Sequence, residues 1–464
     1  MRILFIYKYD FLEPLGIMYL SSYLKGHGHE CYFLDVAFER ELADEVLGIS
    51  PDIIAYSITT GRHRFFQRLN LELKGVLDFF SVFGGPHCTF FPEFIREEGV
   101  DAICRGEGEL ALLELANALE NGEDITGIMN LWVKTGDEVH RNDVRPLIED
   151  LDTLPFPDRD LVNRYVHYKR MHRRYVLTVR GCPFRCSYCF NASYNELYRG
   201  KGRIVRRRSV DNVIKELNHI ERELAPAIII FPDDTFNLNE GWVLEFCDAY
   251  GREVSTPFSI NVRIDLVNER SVQALKEAGC SSVRFAIESG NEHIRNNILG
   301  RDISEAQILR ANELFKKHGI NTFIYNMVGL PGETLDMAFE TLDLNVRCRP
   351  TYPWASIYQP YPGTALYEYS RQNGYFQGDV DSFDESYFHG SIMRIMDIEK
   401  MVRLHHLFSV GIAFPATIPL IRVLIELPMD RPYLALWYFH RAWCYYYGID
   451  WLGPSDLLNR EARS

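Results

Sequence analysis

The chain has 464 residues, with 50 Lys and Arg against 64 Asp and Glu, a formal charge of −14 at pH 7. Its 47% hydrophobic content excludes a disordered chain, its length exceeds one ordinary core, and its acidic balance argues against a general nucleic-acid binder. Ten cysteines behind an N-terminus (MRILFIYKYD) with no secretory pattern predict a reducing, cytoplasmic setting in which the thiols pack or bind metal.

In chain order, short apolar runs at Ile3–Tyr7, Glu30–Asp35, Asp52–Thr59, Ser81–Gly85 and Asp101–Gly106 alternate with helical patterns at Gly16–Lys25, Glu39–Leu47, Phe65–Phe79, Pro92–Glu98 and Glu109–Leu119. Strand, turn and helix repeated five times predict a doubly wound (Rossmann-like) parallel sheet, which binds ligands beyond the carboxyl ends of its strands. Gly127–Val144 reads as a small hairpin that completes a first domain over 1–145. Pro155, Pro157 and many acids make 146–167 a linker.

The alternation resumes with runs at Tyr175–Arg180, Ala227–Pro232, Phe258–Val262, Ser282–Glu288, Thr322–Val328 and Trp354–Gln359. Six such units over 168–370 predict a partial (β/α)6 barrel. Residues 371–464 differ again. Leu407–Ile421 is uncharged but short for a membrane span and holds Pro415 and Pro419, while Trp437–Tyr447 is dense in aromatics. This predicts a helical, aromatic-rich cap, with contact to a membrane or an apolar substrate as the alternative to plain packing.

Seven of the cysteines stand alone and read as buried thiols. The other three crowd into Gly181-Cys-Pro-Phe-Arg-Cys-Ser-Tyr-Cys189, directly after a predicted strand. Three thiolates on one loop can hold three irons of a 4Fe–4S cube, with the fourth iron open to another ligand. The alternatives are three unrelated buried thiols or a structural zinc, which wants a fourth Cys or His at short spacing that this stretch lacks.

The CxxxCxxC spacing of Cys182, Cys186 and Cys189, with Tyr188 before the last, resembles the signature of the radical S-adenosylmethionine (SAM) enzymes. The likeness extends to Phe231-Pro-Asp-Asp-Thr-Phe236, Asn261-Val-Arg-Ile-Asp265, Phe285-Ala-Ile-Glu-Ser-Gly290, Val328-Gly-Leu-Pro-Gly-Glu-Thr334 and Gln359-Pro-Tyr-Pro-Gly-Thr364. It implies that Asp233 or Asp234 meets the methionyl amine of SAM, that Arg263 and Ser289 lie in the SAM-facing segments, and that Glu288 binds the ribose hydroxyls.

An open sheet ahead of such a barrel resembles the cobalamin-binding domain of one large radical SAM subgroup. Ser57-Ile-Thr59, Gly84-Gly85 and Gly106-Glu-Gly-Glu109 stand where that domain meets its cofactor, which makes Ser57, Thr59, Gly84, Gly85 and Glu107 the implied cobalamin contacts. The first loop, Tyr9-Asp-Phe-Leu-Glu-Pro-Leu-Gly16, departs from the Asp-x-His-x-x-Gly of methylcobalamin domains and offers cobalt no histidine. Arg62 and His63, after the third strand, are the candidates to approach the lower face of the corrin, and Arg203, Arg206, Arg207 and Arg208 read as solvated or salt-bridged within the chain rather than as binding an anionic substrate or the cobalamin phosphate.

The resemblance implies a 4Fe–4S cluster, SAM and cobalamin as cofactors, and methylation of an unactivated carbon of a large, apolar or aromatic small molecule. A radical oxidation, cyclisation or ring rearrangement without methyl transfer is the alternative, and a cobalamin or redox sensor the non-enzymatic one. A flavodoxin or ferredoxin is the implied reductant.

Overall fold

The computed structural model describes residues 1–447 except Phe11, 379–387 and 389, with side chains described as far as residue 439. The chain divides into two compact units, one of residues 1–169 with 193–206 and one of 170–192 with the residues from 207 onward. The far end of the aromatic run read at Trp437–Tyr447, and Cys444 with it, lies outside the described side chains.

In the first unit, β1 (Arg2–Tyr7), β2 (Glu30–Asp35), β3 (Ile53–Ser57), β4 (Phe80–Gly84) and β5 (Ala102–Cys104) are parallel. Ile3, Leu4, Phe5 and Ile6 are all buried, as expected where helices cover both faces of a parallel sheet. The expected hairpin is β6 (Leu131–Thr135) with β7 (Glu138–Arg141). It joins the sheet through an antiparallel pairing of β6 with β5, extending the order to β2-β1-β3-β4-β5-β6-β7. Strand order reverses between β1 and β3, so a crevice opens beyond their carboxyl ends. Residues 146–167, read as a linker, pack into this unit: Leu147, Leu151 and Leu154 are buried, and Asp158 accepts from Ser21 Oγ at 2.7 Å.

The second unit holds six parallel strands in the order of the chain, Arg173–Tyr175, Ile228–Phe231, Phe258–Asn261, Cys280–Glu288, Asn321–Val328 and Tyr352–Ile357. They form the expected partial barrel. Apolar faces of its strands and helices meet in one large core that includes Val176, Ile229, Phe231, Phe258, Ile260, Val283, Phe285 and Ile324. The run at Tyr175–Arg180 divides: the barrel strand is Arg173–Tyr175, Val179–Arg180 is a separate two-residue strand, and Asp233 takes the amides of Thr178 and Val179.

Helices Ile398–Ala413, Ile418–Leu424 and Asp430–Tyr447 form the expected helical C-terminal layer. The first packs on helix Leu335–Cys348 and on the last barrel strand, where His405 Nε2 bonds the Ala355 carbonyl and Ser409 Oγ the Pro353 carbonyl. The exposed edge of the sheet is covered in this way. Trp437 is buried beside His405, so its place is one of packing. No described helix is long and apolar enough to cross a membrane.

Candidate functional site

The cysteine loop opens at Gly181, whose φ of 88° suits a residue without Cβ. It is then tied down: Cys189 N–H donates to the Cys186 carbonyl at 3.1 Å, Ser187 bonds Leu299 and Ile298, and Leu366 N–H donates to Ser187. Cys182 and Cys186 are buried and Cys189 half-buried, all three as free thiols. Burial pushes the Cys182 thiol up and that of Cys189 to about 12, so the loop favours neutral thiols until a cation replaces the protons. No three His, Cys, Asp or Glu side chains among the described residues converge closely enough for a single ion. Three thiolates on three irons of a cube stand further apart than three ligands of one ion, and a donor set of three free thiols on one anchored loop fits the cube.

Around this loop stand the ends of barrel strands two to four. Asp233, fully buried, spends both carboxylate oxygens within the protein: Oδ1 accepts from Thr178 N–H at 2.8 Å and Val179 N–H at 3.2 Å, and Oδ2 from Thr178 Oγ1. Burial raises its carboxyl to about 6 against these bonds. Asp234 is exposed and takes a hydrogen bond from Asn191, so it is the member of the pair that presents a carboxylate outward. Asn261 Nδ2 donates to the Asp233 carbonyl at 3.0 Å while its Oδ1 is buried without a partner.

Glu288 ends the fourth strand at φ +65°, beside a register shift, a strained backbone of the kind that marks working sites. Its Oε1 accepts from Tyr188 Oη at 2.9 Å and lies 3.6 Å from Arg301 Nη1. Burial raises the carboxyl, opposed by Arg301 and the Tyr188 bond. Ser289 is fully buried and its Oγ has no partner in the described structure. Next to it Gly290 is required by space, since a Cβ there would lie 2.3 Å from the Glu340 carbonyl oxygen. Arg263 turns toward the cysteine loop: its guanidinium lies 3.5 Å from the centre of the Phe184 ring and its Nη1 3.9 Å from Cys186 Sγ. Buried, unpartnered oxygens of Asn261 and Ser289 at adjacent strand ends are the kind of groups that a polar cofactor satisfies, and they fit SAM.

Sequence reasoning passed over two residues here. Arg301 bonds Tyr188 Oη at 2.6 Å, and Glu333 closes the turn after the fifth strand by accepting from the Gly329 and Leu330 amides at 2.7 and 3.1 Å. Both partnerships are set by folding, and only the acid in Gly-Glu-Thr334 carried any sequence signal.

In the first unit a cleft of about 560 Å³, its open mouth included, lies at the strand-order reversal. Tyr7, Lys8 and Gly16 line it from the β1 side, and Ser57, Thr59 and Arg62 from the β3 side. Ser57 and Thr59 are exposed to it. Gly85 has φ +89° and would place a Cβ 2.8 Å from the Ile58 carbonyl oxygen, so a glycine is needed for β4 to close against the Ser57–Thr59 turn. The combination of room, hydroxyls and close backbone fits a large cofactor. His63 is buried and stacked on His87 at 4.2 Å, away from the cleft lining. Glu107 is engaged by Arg206 at 2.8 Å, Arg203 pairs with Glu149 and Arg208 with Glu216, so these three arginines are salt-bridged as expected, while Arg207 donates to the Phe236 carbonyl at 2.9 Å and lies over the Trp242 ring.

A radical SAM superfamily model matches residues 176–344, and a B12 binding domain model matches 1–116. The chain is 32% identical over 371 residues to uncharacterized methyltransferase PH0819 of Pyrococcus horikoshii, covering 78% of this chain and 79% of that protein. It is 27% identical over 376 residues to the anaerobic magnesium-protoporphyrin IX monomethyl ester cyclase of Rubrivivax gelatinosus, covering 76% and 66%. Among solved structures, the radical SAM methyltransferase TsrM of Kitasatospora setae with cobalamin and a [4Fe-4S] cluster superposes with a TM-score of 0.69 at 17% identity, covering 95% of this chain and 99% of that one. The cobalamin-dependent SAM radical enzyme OxsB superposes at 0.71 and 18%, covering 95% and 71%. The chain belongs to the radical SAM enzymes that carry an N-terminal cobalamin-binding domain. The cofactors of that family are a 4Fe–4S cluster, SAM and cobalamin.

Proposed function

We propose that this enzyme transfers a methyl group from SAM to an unactivated carbon of an apolar or aromatic small molecule. The observation that carries the reading is the meeting of three free thiols on one anchored loop with unpartnered oxygens of Asn261 and Ser289 at the adjoining strand ends. Cys182, Cys186 and Cys189 hold the cluster. Asp234 takes the methionyl ammonium, and Asp233 positions it by fixing the turn between Thr178 and the second strand. Glu288, held by Tyr188 and Arg301, takes the ribose hydroxyls, and Ser289 and Asn261 complete the site. In the first unit Ser57, Thr59, Gly84 and Gly85 receive cobalamin, with Arg62 in the cleft wall. Bound together, these cofactors supply a carbon radical that abstracts hydrogen and a methyl group that replaces it.

The half-buried side chains of Tyr188, Met327 and Tyr361 near the loop are the ones that support an apolar substrate. Tyr361, Met327 and Tyr188 border a cluster of Leu330, Tyr358, Tyr367, Phe376 and Met393 beyond the ends of the fifth and sixth strands. The electron comes from a flavodoxin- or ferredoxin-like donor, in a reducing cytoplasm, and Phe414, Leu420 and Val423, exposed on the C-terminal helices, are the surface for any contact with lipid.

Methyl transfer of this kind consumes two SAM molecules, giving S-adenosylhomocysteine from one and 5′-deoxyadenosine from the other. Anaerobic, reconstituted full-length protein incubated with methyl-labelled SAM, tryptophan and magnesium-protoporphyrin IX monomethyl ester as probes distinguishes the outcomes. Both nucleosides and labelled product support methylation. The 27% identity to the magnesium-protoporphyrin ester cyclase favours a second reading, radical oxidation or cyclisation. It gives 5′-deoxyadenosine without S-adenosylhomocysteine or label.

A further inference from the structure

We propose that Arg263, backed by Arg301, sets the reduction potential of the cluster by holding a fixed positive charge and an N–H donor against the sulfur of Cys186. The inference rests on the reading that the three loop cysteines hold that cluster.

Arg263 is 8% exposed, and both terminal nitrogens of its guanidinium are engaged. Nη1 lies 3.9 Å from Cys186 Sγ, Nη2 donates to the Arg301 carbonyl at 2.6 Å, and Nε lies 2.8 Å from Asp265 Oδ1. Its plane sits over the Phe184 ring, within the loop itself. Arg301, 6% exposed, adds a second cation. It donates to Tyr188 Oη at 2.6 Å and lies 3.6 Å from Glu288 Oε1. Cys182 Sγ, by comparison, lies 3.8 Å from the neutral hydroxyl of Thr235.

Cluster potentials respond to net charge, solvent exposure and hydrogen bonds to the sulfurs. Reduction adds one electron from an external donor, breaks no bond and leaves the cluster one unit more negative. A guanidinium in a site poor in water stabilises that extra charge, because the field is weakly screened. Asp265 tempers the effect, since its carboxylate faces Nε of the same guanidinium. The structure therefore contains two levers of opposite sign. If Arg263 were only a clamp on the loop, neither lever would move the potential.

The test is a redox titration of the anaerobically reconstituted full chain with dithionite, followed by electron paramagnetic resonance. Arg263→Gln is expected to lower the reduced-to-oxidised ratio at fixed potential by tenfold or more, about 59 mV for one electron. Arg263→Lys is expected to fall between it and the wild type, and Asp265→Asn to shift the other way. Should Arg263→Gln fail to assemble a cluster, Asp265→Asn still decides. A potential in Asp265→Asn equal to the wild type overturns the proposal. Failure of the underlying reading is separately visible, because Cys186→Ala would then retain a full complement of iron and sulfide.

Discussion

The Tyr188 hydroxyl donates to Glu288 Oε1 at 2.9 Å and receives Arg301 Nη1 at 2.6 Å, which fastens the residue before the last loop cysteine to the end of the fourth barrel strand. One hydroxyl thus joins the cysteine loop to the carboxylate proposed for the ribose. Tyr188→Phe removes both bonds from a buried site, where losing a hydrogen bond to a charged group costs about 1.5–3 kcal/mol. The expected result is SAM affinity weakened by roughly ten- to a hundredfold, with iron and sulfide content unchanged, read by equilibrium dialysis of labelled SAM.

The adjacent aspartates should separate in their effects. Asp233→Asn disturbs the cap over Thr178 and Val179. It is expected to lower stability by about 1–3 kcal/mol in denaturant unfolding. Asp234→Asn, at an exposed carboxylate, is expected to weaken SAM binding with little change in stability.

Glu333 provides a pH signature. Burial raises its carboxyl to about 8 from the ordinary 4.5, against the hydrogen bonds of Leu330 and Gly329. The folded state therefore binds a proton that the unfolded chain has lost. The stabilisation is complete below pH 4.5 and disappears as pH rises through about 8, and its upper bound is about 5 kcal/mol. Glu333→Gln, which cannot ionise, should match the wild type in Tm at and below pH 4.5, exceed it increasingly up to about pH 8, and hold a constant excess above that. A difference in Tm that does not change with pH would contradict a protonated Glu333.

For the first unit, Gly85→Ala forces a Cβ to within 2.8 Å of the Ile58 carbonyl at positive φ. The displaced Ser57–Thr59 turn should reduce retention of added cobalamin, seen as lost corrin absorbance after gel filtration, while SAM binding by the second unit persists.

The legible parts of this protein are those written locally. The apolar runs of β1 to β5 are continuous and bounded by turns, so their existence could be read, and so could the three crowded cysteines. Residues 146–167 misled because prolines and acids dominate the composition, while the three buried leucines Leu147, Leu151 and Leu154 belong to no regular element beyond the short helical turn Leu151–Thr153. The first barrel strand was misplaced because the run at Tyr175–Arg180 divides, with Asp233, more than fifty residues on, taking the amides of Thr178 and Val179. The two-aspartate motif could be found but not resolved, since only burial tells the structural carboxylate from the exposed one. Arg301 carried no signal at all, as its partners Tyr188 and Glu288 meet it only through the fold.

The most direct test is iron, acid-labile sulfide and 5′-deoxyadenosine measured on anaerobically reconstituted protein, comparing Cys182→Ala/Cys186→Ala/Cys189→Ala with Cys88→Ala/Cys247→Ala, two buried thiols outside the loop. The expected result is about four irons and four sulfides per chain, with SAM cleavage, in the wild type and the second variant, and neither in the first. A loop variant that keeps its iron and still forms 5′-deoxyadenosine would contradict the assignment of the radical chemistry to Cys182, Cys186 and Cys189.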